Sequence, residues 1–434
     1  MLKIENVMVL KEEGFFASGA IETDGPLISR VSWDDSLPYE NQISYIENKT
    51  DESLMPHGNG EVAVKRVSKR GKTTLDAGGC YAIPGLIDIH LHGCRGGNFY
   101  DADRDGLLQM LRYQAANGVT AICPTTLTLP VDVLEKSCAA IASIAGDIEN
   151  DTRGGFSDGA RAGESPSPES GAAAPIGVYL EGPFISRDKT GAQNPDFVAA
   201  PDISMFRRLQ EASGNRVKVL AMAPEVNGAL DLISALAGEV VISVAHTNTD
   251  YKTAVTAFER GAKLVTHLYN GMSGFTHREP GVVGAALDTP GVFAEMICDG
   301  VHLHPAAVRI AMKSLGLTRT VFISDSMMAT GLVDGIYDLG GLKVRVAGKE
   351  ARLVNGGNIA SSVSNLMDCL RVAVRDVGLP LASAARCVST NPALALGVEN
   401  ERGRIAEGLA ADIVLLDKDL NIKEVIVRGR RLSM

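Results

Sequence analysis

Seven ionisable side chains recur at one kind of place in the sequence, the C-terminal end of a short apolar run. His90 and His92 end the run GLIDIHLHG, Glu181 ends the apolar part of IGVYLEGPF, and His246 that of VVISVAHTN. His267 does the same in AKLVTHLYN, His302 in FAEMICDGVH and Asp325 in TVFISDSMM. Imidazole nitrogens and carboxylate oxygens hold divalent cations, and both groups also move protons. Singly, none of these residues carries an argument. An H-x-H pair can be two solvated histidines, a lone Glu can cap a turn, and a lone His in an apolar run is usually a satisfied core residue. Together they do, because the chain has only eight histidines and five of them fall at these ends. His90 and His92 are two apart, so on a strand both point to one face. The set predicts a metal centre. Its donors are His, Glu and Asp without Cys, which suits Zn²⁺ or Fe²⁺ and also accommodates Mn²⁺ or Co²⁺. Cys94, Cys123 and Cys298 lie near the same ends and read as small buried hydrophobes.

Such a centre needs elements that bring six run ends together. Two further runs, GVTAICPTTLT and VKVLAMAPE, make eight between Ala82 and about Asn400. Most are separated by amphipathic stretches such as DGLLQMLRYQAANG, DVLEKSCAAIASIAG, ISMFRRLQEASG and DYKTAVTAFERG. Their apolar residues recur every three to four positions, and several end at Gly, as surface helices do. The link between the sixth and seventh runs is the least helical, with Pro280 and several glycines. Eight strand–helix units in succession predict an α/β fold, a (β/α)8 barrel of parallel strands apolar on both faces. The strand C-terminal ends of such a barrel share one mouth, where its chemistry sits.

Residues 2–22, 61–80 and 403–434 alternate or form short β-like runs, and neither chain end alone can bury a useful core. They are predicted to pair into one small β-domain, 1–81 with 401–434, beside a barrel of 82–400. Residues 31–60, with the single tryptophan Trp33, and the Gly/Ser/Ala/Pro-rich residues 150–174 read as surface insertions, the second a flexible loop.

Charge and composition exclude several classes. The net charge is 42 − 52 = −10, which disfavours non-specific nucleic-acid binding. A content of 45% hydrophobic and 22% charged residues is that of a globular protein and not of a disordered chain. No run reaches the ~18 apolar residues that span a bilayer. The opening MLKIENVMVLKEEG reads as a strand and not a signal peptide. Seven cysteines, an odd number without C-x-x-C spacing, point to reduced thiols and a cytoplasmic location.

Longer motifs add a resemblance. AIPGLIDIHLHG (82–93) resembles the opening signature of the amidohydrolase superfamily, and GRIAEGLAADIVLLD (403–417) resembles its closing one. Within it, LEGPFIS (180–186), VAHTN (244–248), THLYNGM (266–272), REPG (278–281), CDGVHLHP (298–305) and ISDSMMATG (323–331) are similar to the N-acetylglucosamine-6-phosphate deacetylase family, in that family's order. The resemblance implies a TIM-like metallo-hydrolase barrel with a small β-sandwich formed by both termini. It implies Glu181, His246 and His267 as ligands of the main metal and Asp325 as catalytic acid/base. His90 and His92 match a pair that some members use for a second metal, so one or two ions per subunit are expected, with Glu181 bridging two. Asn270, Gly271 and Arg278 match the phosphate contacts, His302 a sugar contact, and Ile359, Ala360 and Ser361 the sugar-pocket wall. Ala192 and Gln193 fall in KTGAQNP, where many members carry a histidine in place of Gln193. An amide can still donate there but carries no charge.

The implied reaction is hydrolysis of the acetyl amide of a phosphorylated amino sugar, within amino-sugar metabolism, by a homodimer with no nucleic-acid or membrane partner. Metal polarisation and acidified water supply the nucleophile, and Asp325 takes a proton and returns it to the leaving amine. The galacto isomer of the substrate is the close alternative. A cyclic amidase is disfavoured, since those typically bridge two metals with a carboxylated lysine and the third run offers Glu181. A non-catalytic sugar-binding barrel would be expected to lack a ligand or Asp325.

Overall fold

All eight apolar runs form strands in a computed structural model that describes residues 1–33, 64–69, 72–153 and 169–432. They are β1 (Leu86–Leu91), β2 (Val119–Pro124), β3 (Val178–Glu181), β4 (Val217–Met222), β5 (Val241–Val244), β6 (Ala262–Val265), β7 (Phe293–Ile297) and β8 (Thr320–Ile323). Their residues are mostly β-branched or aliphatic and almost wholly buried, as strands covered on both faces must be. β1 and β2 pair in parallel, and β3 to β8 form one parallel sheet in chain order. The Thr126 N–H donates to the Tyr179 carbonyl at 2.9 Å between β2 and β3. The Asp325 N–H donates to the His90 carbonyl at 3.0 Å and the His92 N–H to the Ser326 carbonyl at 2.8 Å between β8 and β1. These bonds close the ring.

A helix follows each strand: α1 (Arg104–Ala116), α2 (Val131–Arg153), α3 (Ile203–Ala212), α4 (Ala229–Leu236), α5 (Tyr251–Glu259), α6 (Gly281–Asp288), α7 (Pro305–Leu315) and α8 (Leu366–Arg375). The weakest expectation, the sixth, is met by α6, which begins just past Pro280. Asp103, Asp202 and Asp250 cap α1, α3 and α5 with their carboxylates, and Asn365 with Asp368 forms a capping box on α8. Each cap fixes where a mouth loop ends and its helix begins. α9 (Leu381–Val388) and α10 (Thr390–Leu396) follow. Ala393 and Leu396 of α10 join Ile87, Tyr179, Val219, Leu264 and Val321 in the barrel's inner core and plug its floor. One excursion has no counterpart in the pattern of eight apolar runs. Between β8 and α8 the chain builds a three-stranded antiparallel sheet from Gly335–Leu339, Leu342–Ala347 and Glu350–Leu353.

Both chain ends enter one nine-stranded sheet. The strand Leu2–Leu10 is its branch point. It pairs antiparallel with Phe16–Asp24, and in parallel with Lys72–Asp76 through Leu2–Glu5 and with Tyr81–Pro84 through Met8–Val9. Tyr81–Pro84 then pairs antiparallel with Ile413–Leu416 of the C-terminal end. The sheet therefore runs past the boundary expected after residue 81, and Gly85 is the passage into β1. A Cβ there would stand 2.1 Å from Thr120 Oγ1 on β2, so only glycine lets the chain through.

The second insertion is in part ordered structure: α2 runs on to Arg153, Ala172 and Ala173 are buried, and Ala174–Pro175 pairs with β2, so 150–153 are helix and Ala174 is strand. Residues 154–168 and 34–60 lie outside the described residues. Trp33 ends the strand Leu27–Trp33 and packs on the terminal core, with Lys11 Nζ 4.6 Å from its ring. Among the described residues no helix is long and apolar enough to cross a membrane.

Arg319 ties the lower ends of two helices together. Its guanidinium donates to the carbonyls of Ala286, Thr289 and Val292 at 3.0, 2.8 and 3.1 Å beside α6, and to Leu315 of α7 at 2.9 Å. Helix C-termini leave such carbonyls orphaned, and a cation is the partner they favour. Arg319→Met keeps the stem and removes the donors. It should lower unfolding stability by about 2–4 kcal/mol, seen as an earlier denaturation midpoint at unchanged slope.

Candidate active site

The ligand-type residues meet because strand ends share a rim and the chain turns sharply there. His90 is in β1 and His92 just follows it, Glu181 is the last residue of β3, and His246, His267 and Asp325 stand two residues beyond β5, β6 and β8. The last three adopt left-handed backbone, with φ of +42°, +30° and +48°. Non-glycine residues do so at a cost of about 1–3 kcal/mol each, and such conformations concentrate at functional sites. Here the turn swings each side chain inward over the barrel. The turns are held by backbone bonds, such as Ser186 N–H to the His246 carbonyl at 2.9 Å and Asn270 N–H to the His267 carbonyl at 2.9 Å.

Four imidazoles surround Glu181. His246 Nε2 and His267 Nε2 lie 3.0 and 2.9 Å from Glu181 Oε1, and 3.3 Å from each other. His92 Nε2 lies 3.3 Å from Glu181 Oε2 and 3.2 Å from Asp325 Oδ1. His90 Nε2 lies 3.5 Å from Glu181 Oε1 and 3.8 Å from Asp325 Oδ1. The far ring nitrogens assign the tautomers. His246 Nδ1 faces the Lys189 carbonyl at 2.8 Å, His267 Nδ1 the Asn270 carbonyl at 3.0 Å, and His90 Nδ1 the Glu295 carboxylate at 3.0 Å. Each partner accepts only, so each Nδ1 carries the hydrogen and each Nε2 presents a lone pair. His90 Nε2 is buried without a hydrogen-bond partner. Lone pairs and carboxylate oxygens crowded this closely repel unless a cation lies among them. Two triads, His90–His92–Glu181 and Glu181–His246–His267, each converge their ligand atoms within 4.8 Å and share Glu181. The residues present therefore fit a divalent ion, in one or both triads.

The electrostatics agree. Burial pushes Glu181 up, but His90 and His246 beside it override that and hold its carboxyl well below the usual range. Burial opposes charge on His90, yet Glu295 and Glu181 raise it well above its ordinary value, and Glu181 likewise raises His246. Burial also opposes the Asp325 carboxylate, which the His92 hydrogen bond and the neighbouring histidines hold low. The field at this point favours positive charge.

Above the centre opens a cleft of about 440 Å³, a size suited to a small molecule. Ala192, Gln193, Asn270, Gly271, His302, Ile359 and Ser361 line it with His92, Glu181, His246, His267 and Asp325. Ser361 Oγ donates to Asp325 Oδ1 at 3.4 Å. His302 is oriented by Asp299, whose Oδ2 lies 2.8 Å from its Nδ1. Gln193 is already engaged: its Nε2 donates to Glu181 Oε2, and its Oε1 accepts the Thr128 N–H at 2.6 Å. Two expected residues are not brought in. Ala360 is fully buried behind the wall, and Arg278 is exposed on the loop beyond Met272, outside the lining. Lys189, Leu339 and Asn358 line the cleft unforeseen. Leu339 belongs to the excursion after β8. Glu295 also went unread, although a carboxylate inside the run FAEMI was its signal.

Comparison with known proteins places this geometry. The sequence profile of the amidohydrolase family matches residues 81–432. The N-acetylglucosamine-6-phosphate deacetylase of Vibrio furnissii is 36% identical over 349 residues, 80% of this chain and 82% of that one. The N-acetylgalactosamine-6-phosphate deacetylase of Escherichia coli O157:H7 is 34% identical over 351 residues, 81% of this chain and 87% of that one. A solved structure of a mutant N-acetyl-D-glucosamine-6-phosphate deacetylase from Mycobacterium smegmatis, in complex with N-acetyl-D-glucosamine-6-phosphate, superposes with a TM-score of 0.79 at 29% identity, over 99% of this chain and 98% of that one.

Gly271 tests the packing of the centre. It sits at φ +61°, and a Cβ would lie 3.0 Å from His246 Nδ1 and 3.4 Å from His267 Cε1. Gly271→Ala should displace both rings, weaken metal retention at least tenfold in a chelator competition, and cost about 1–3 kcal/mol of stability.

Proposed function

Because the chain belongs to the amidohydrolase family, we propose that it hydrolyses N-acetyl-D-glucosamine 6-phosphate to D-glucosamine 6-phosphate and acetate. The observation that carries this reading is the convergence of His246, His267 and Glu181 with Asp325 at the base of an open cleft. Relatives that act on acetylated hexosamine phosphates support the substrate class. Glu181, His246 and His267 would hold a divalent ion, whose chemistry there would be polarisation of an amide carbonyl and acidification of water. Zn²⁺ or Fe²⁺ suits that ligand set, and His90 and His92 with Glu181 would take a second ion.

The chain's own residues do the rest. Asp325, kept ionised by His92 and its neighbours, accepts a proton from the attacking water. It then returns the proton to the departing amine, which is a poor leaving group until protonated. Ser361 and His92 fix the Asp325 carboxylate in line with that transfer. His302, braced by Asp299, orients the sugar. Gln193 borders the acetyl end with the N–H not given to Glu181. Asn270 and the backbone N–H of Gly271, which line the cleft, meet the 6-phosphate, and Arg278, exposed on the loop beyond them, is its long-reach cation. Binding the distant phosphate positions the amide over the centre.

The same reading treats the terminal sheet, residues 1–81 with 401–434, as a small β-sandwich. Its strands bury Ile4, Ile21 and Leu75 from one end against Ile413 and Ile426 from the other. It also takes the protein to be a cytoplasmic homodimer. The seven buried free cysteines suit a reducing compartment, and exposed Phe275, Val333 and Ile336 supply apolar surface for self-association.

A second reading keeps the mechanism and changes the sugar, since the Escherichia coli relative is named for the galacto substrate. Acetate release by metal-replete protein from both 6-phosphates and from unphosphorylated N-acetylglucosamine separates the cases. Faster release from the gluco isomer, and little from the unphosphorylated sugar, is the expected result. Preference for the galacto isomer moves the assignment to that sugar, and no release from any of the three overturns both. Asp325→Asn should lower kcat by at least 10³-fold with KM little changed.

A further inference from the structure

Beneath the metal-type ligands lies a charge that the reaction does not use. Glu295, in the middle of β7, is fully buried inside a barrel whose floor is sealed. A carboxylate in such a place costs several kcal/mol unless partners repay it. Its Oε2 receives only two N–H groups, the ring Nδ1–H of His90 at 3.0 Å and the backbone N–H of His267 at 3.3 Å, and its Oε1 has no partner among the described residues. Two N–H groups do not by themselves balance a buried charge. A positive charge reached through His90 does.

We propose that Glu295 is the positioning residue that makes the His90–His92–Glu181 triad able to hold an ion. By accepting the Nδ1 hydrogen of His90 it forces the lone pair onto Nε2, the buried nitrogen aimed at Glu181 and Asp325. The negative charge behind the ring also makes that lone pair a better donor. His246 and His267 need no such device, because backbone carbonyls of Lys189 and Asn270 fix their tautomers. The two triads are therefore built differently. One rests on neutral backbone and the other on a buried carboxylate, and removing the carboxylate should empty only the second. This inference rests on the metal-centre part of the reading above.

Ions per chain are counted across a series of buffered free Zn²⁺ concentrations for the full-length protein, Glu295→Gln, His90→Asn and the double variant. The wild type should bind two ions. Glu295→Gln should bind one with unchanged affinity and the other 10- to 100-fold more weakly. His90→Asn should lose that same ion, and Glu295→Gln should change nothing further in its background. Unchanged binding of both ions by Glu295→Gln, or equal weakening of both, overturns the proposal. So does a wild type that binds only one ion, even if it releases acetate. Two ions with no acetate release would instead overturn the deacetylation reading and leave Glu295 its role. If Glu295→Gln does not fold, ring ¹⁵N spectra of the Zn²⁺-loaded wild type decide. His90 should carry its hydrogen on Nδ1, and a hydrogen on Nε2 overturns the proposal.

Discussion

One carboxylate organises the mouth of this barrel. Glu181 is buried, and the ring nitrogens of four histidines on three other strands close on its two oxygens. Such a cluster is stable only if positive charge resides in it, so the site is a demand for a cation before it is anything else. The rest of the fold can be read as meeting the geometric terms of that demand. Parallel strands place their C-terminal ends on one rim. Left-handed turns at His246, His267 and Asp325 then bend the chain inward, where a continuing extended strand would carry the side chains past. Helix caps and the Gly271 contact leave the rings little room to withdraw.

Tautomers carry the demand one shell outward. A histidine can serve as a ligand through Nε2 only when Nδ1 holds the hydrogen, and each far-side partner settles this. Two of those partners are backbone carbonyls in the loops that also wall the cleft. The third is Glu295, in the barrel interior. The loop from Arg187 to Gln193 illustrates the economy of the arrangement. Its Lys189 carbonyl fixes His246, its Gln193 amide holds Glu181, and both residues face the cleft.

Features with a strong local signature were legible in the sequence. The eight strands announced themselves because a parallel strand buried on both faces reads as a near-continuous apolar run, as VISV and TVFI do. The polar residues at their ends stood out against that background. The hairpin sheet at 335–353 did not: LKVRVA and EARL alternate as half-exposed strands do, but they lie between the eighth run and α8, where the repeating strand–helix order leads straight to a helix. The tail of α2 was masked by Gly- and Ser-rich sequence that begins just past it. Glu295 escaped for a different reason. Its meaning lies in a ring 205 residues away in sequence, and no pattern local to β7 contains that. Arg278 shows the converse limit: a motif names the residue, while its exposed loop leaves it outside the lining of the cleft.

The plugged floor of the barrel has a consequence for traffic. With Tyr179, Ala393 and Leu396 packed beneath the centre, the described residues close the barrel floor, and what enters the cleft leaves on the mouth side. A substrate whose acetyl end reaches down to Glu181 and whose phosphate stays near the rim blocks that side with its own body. After the bond breaks, the smaller fragment lies below the larger one. In the proposed binding mode acetate therefore lies beneath the amino-sugar phosphate, and the shape of the barrel bears on the order in which the two products leave.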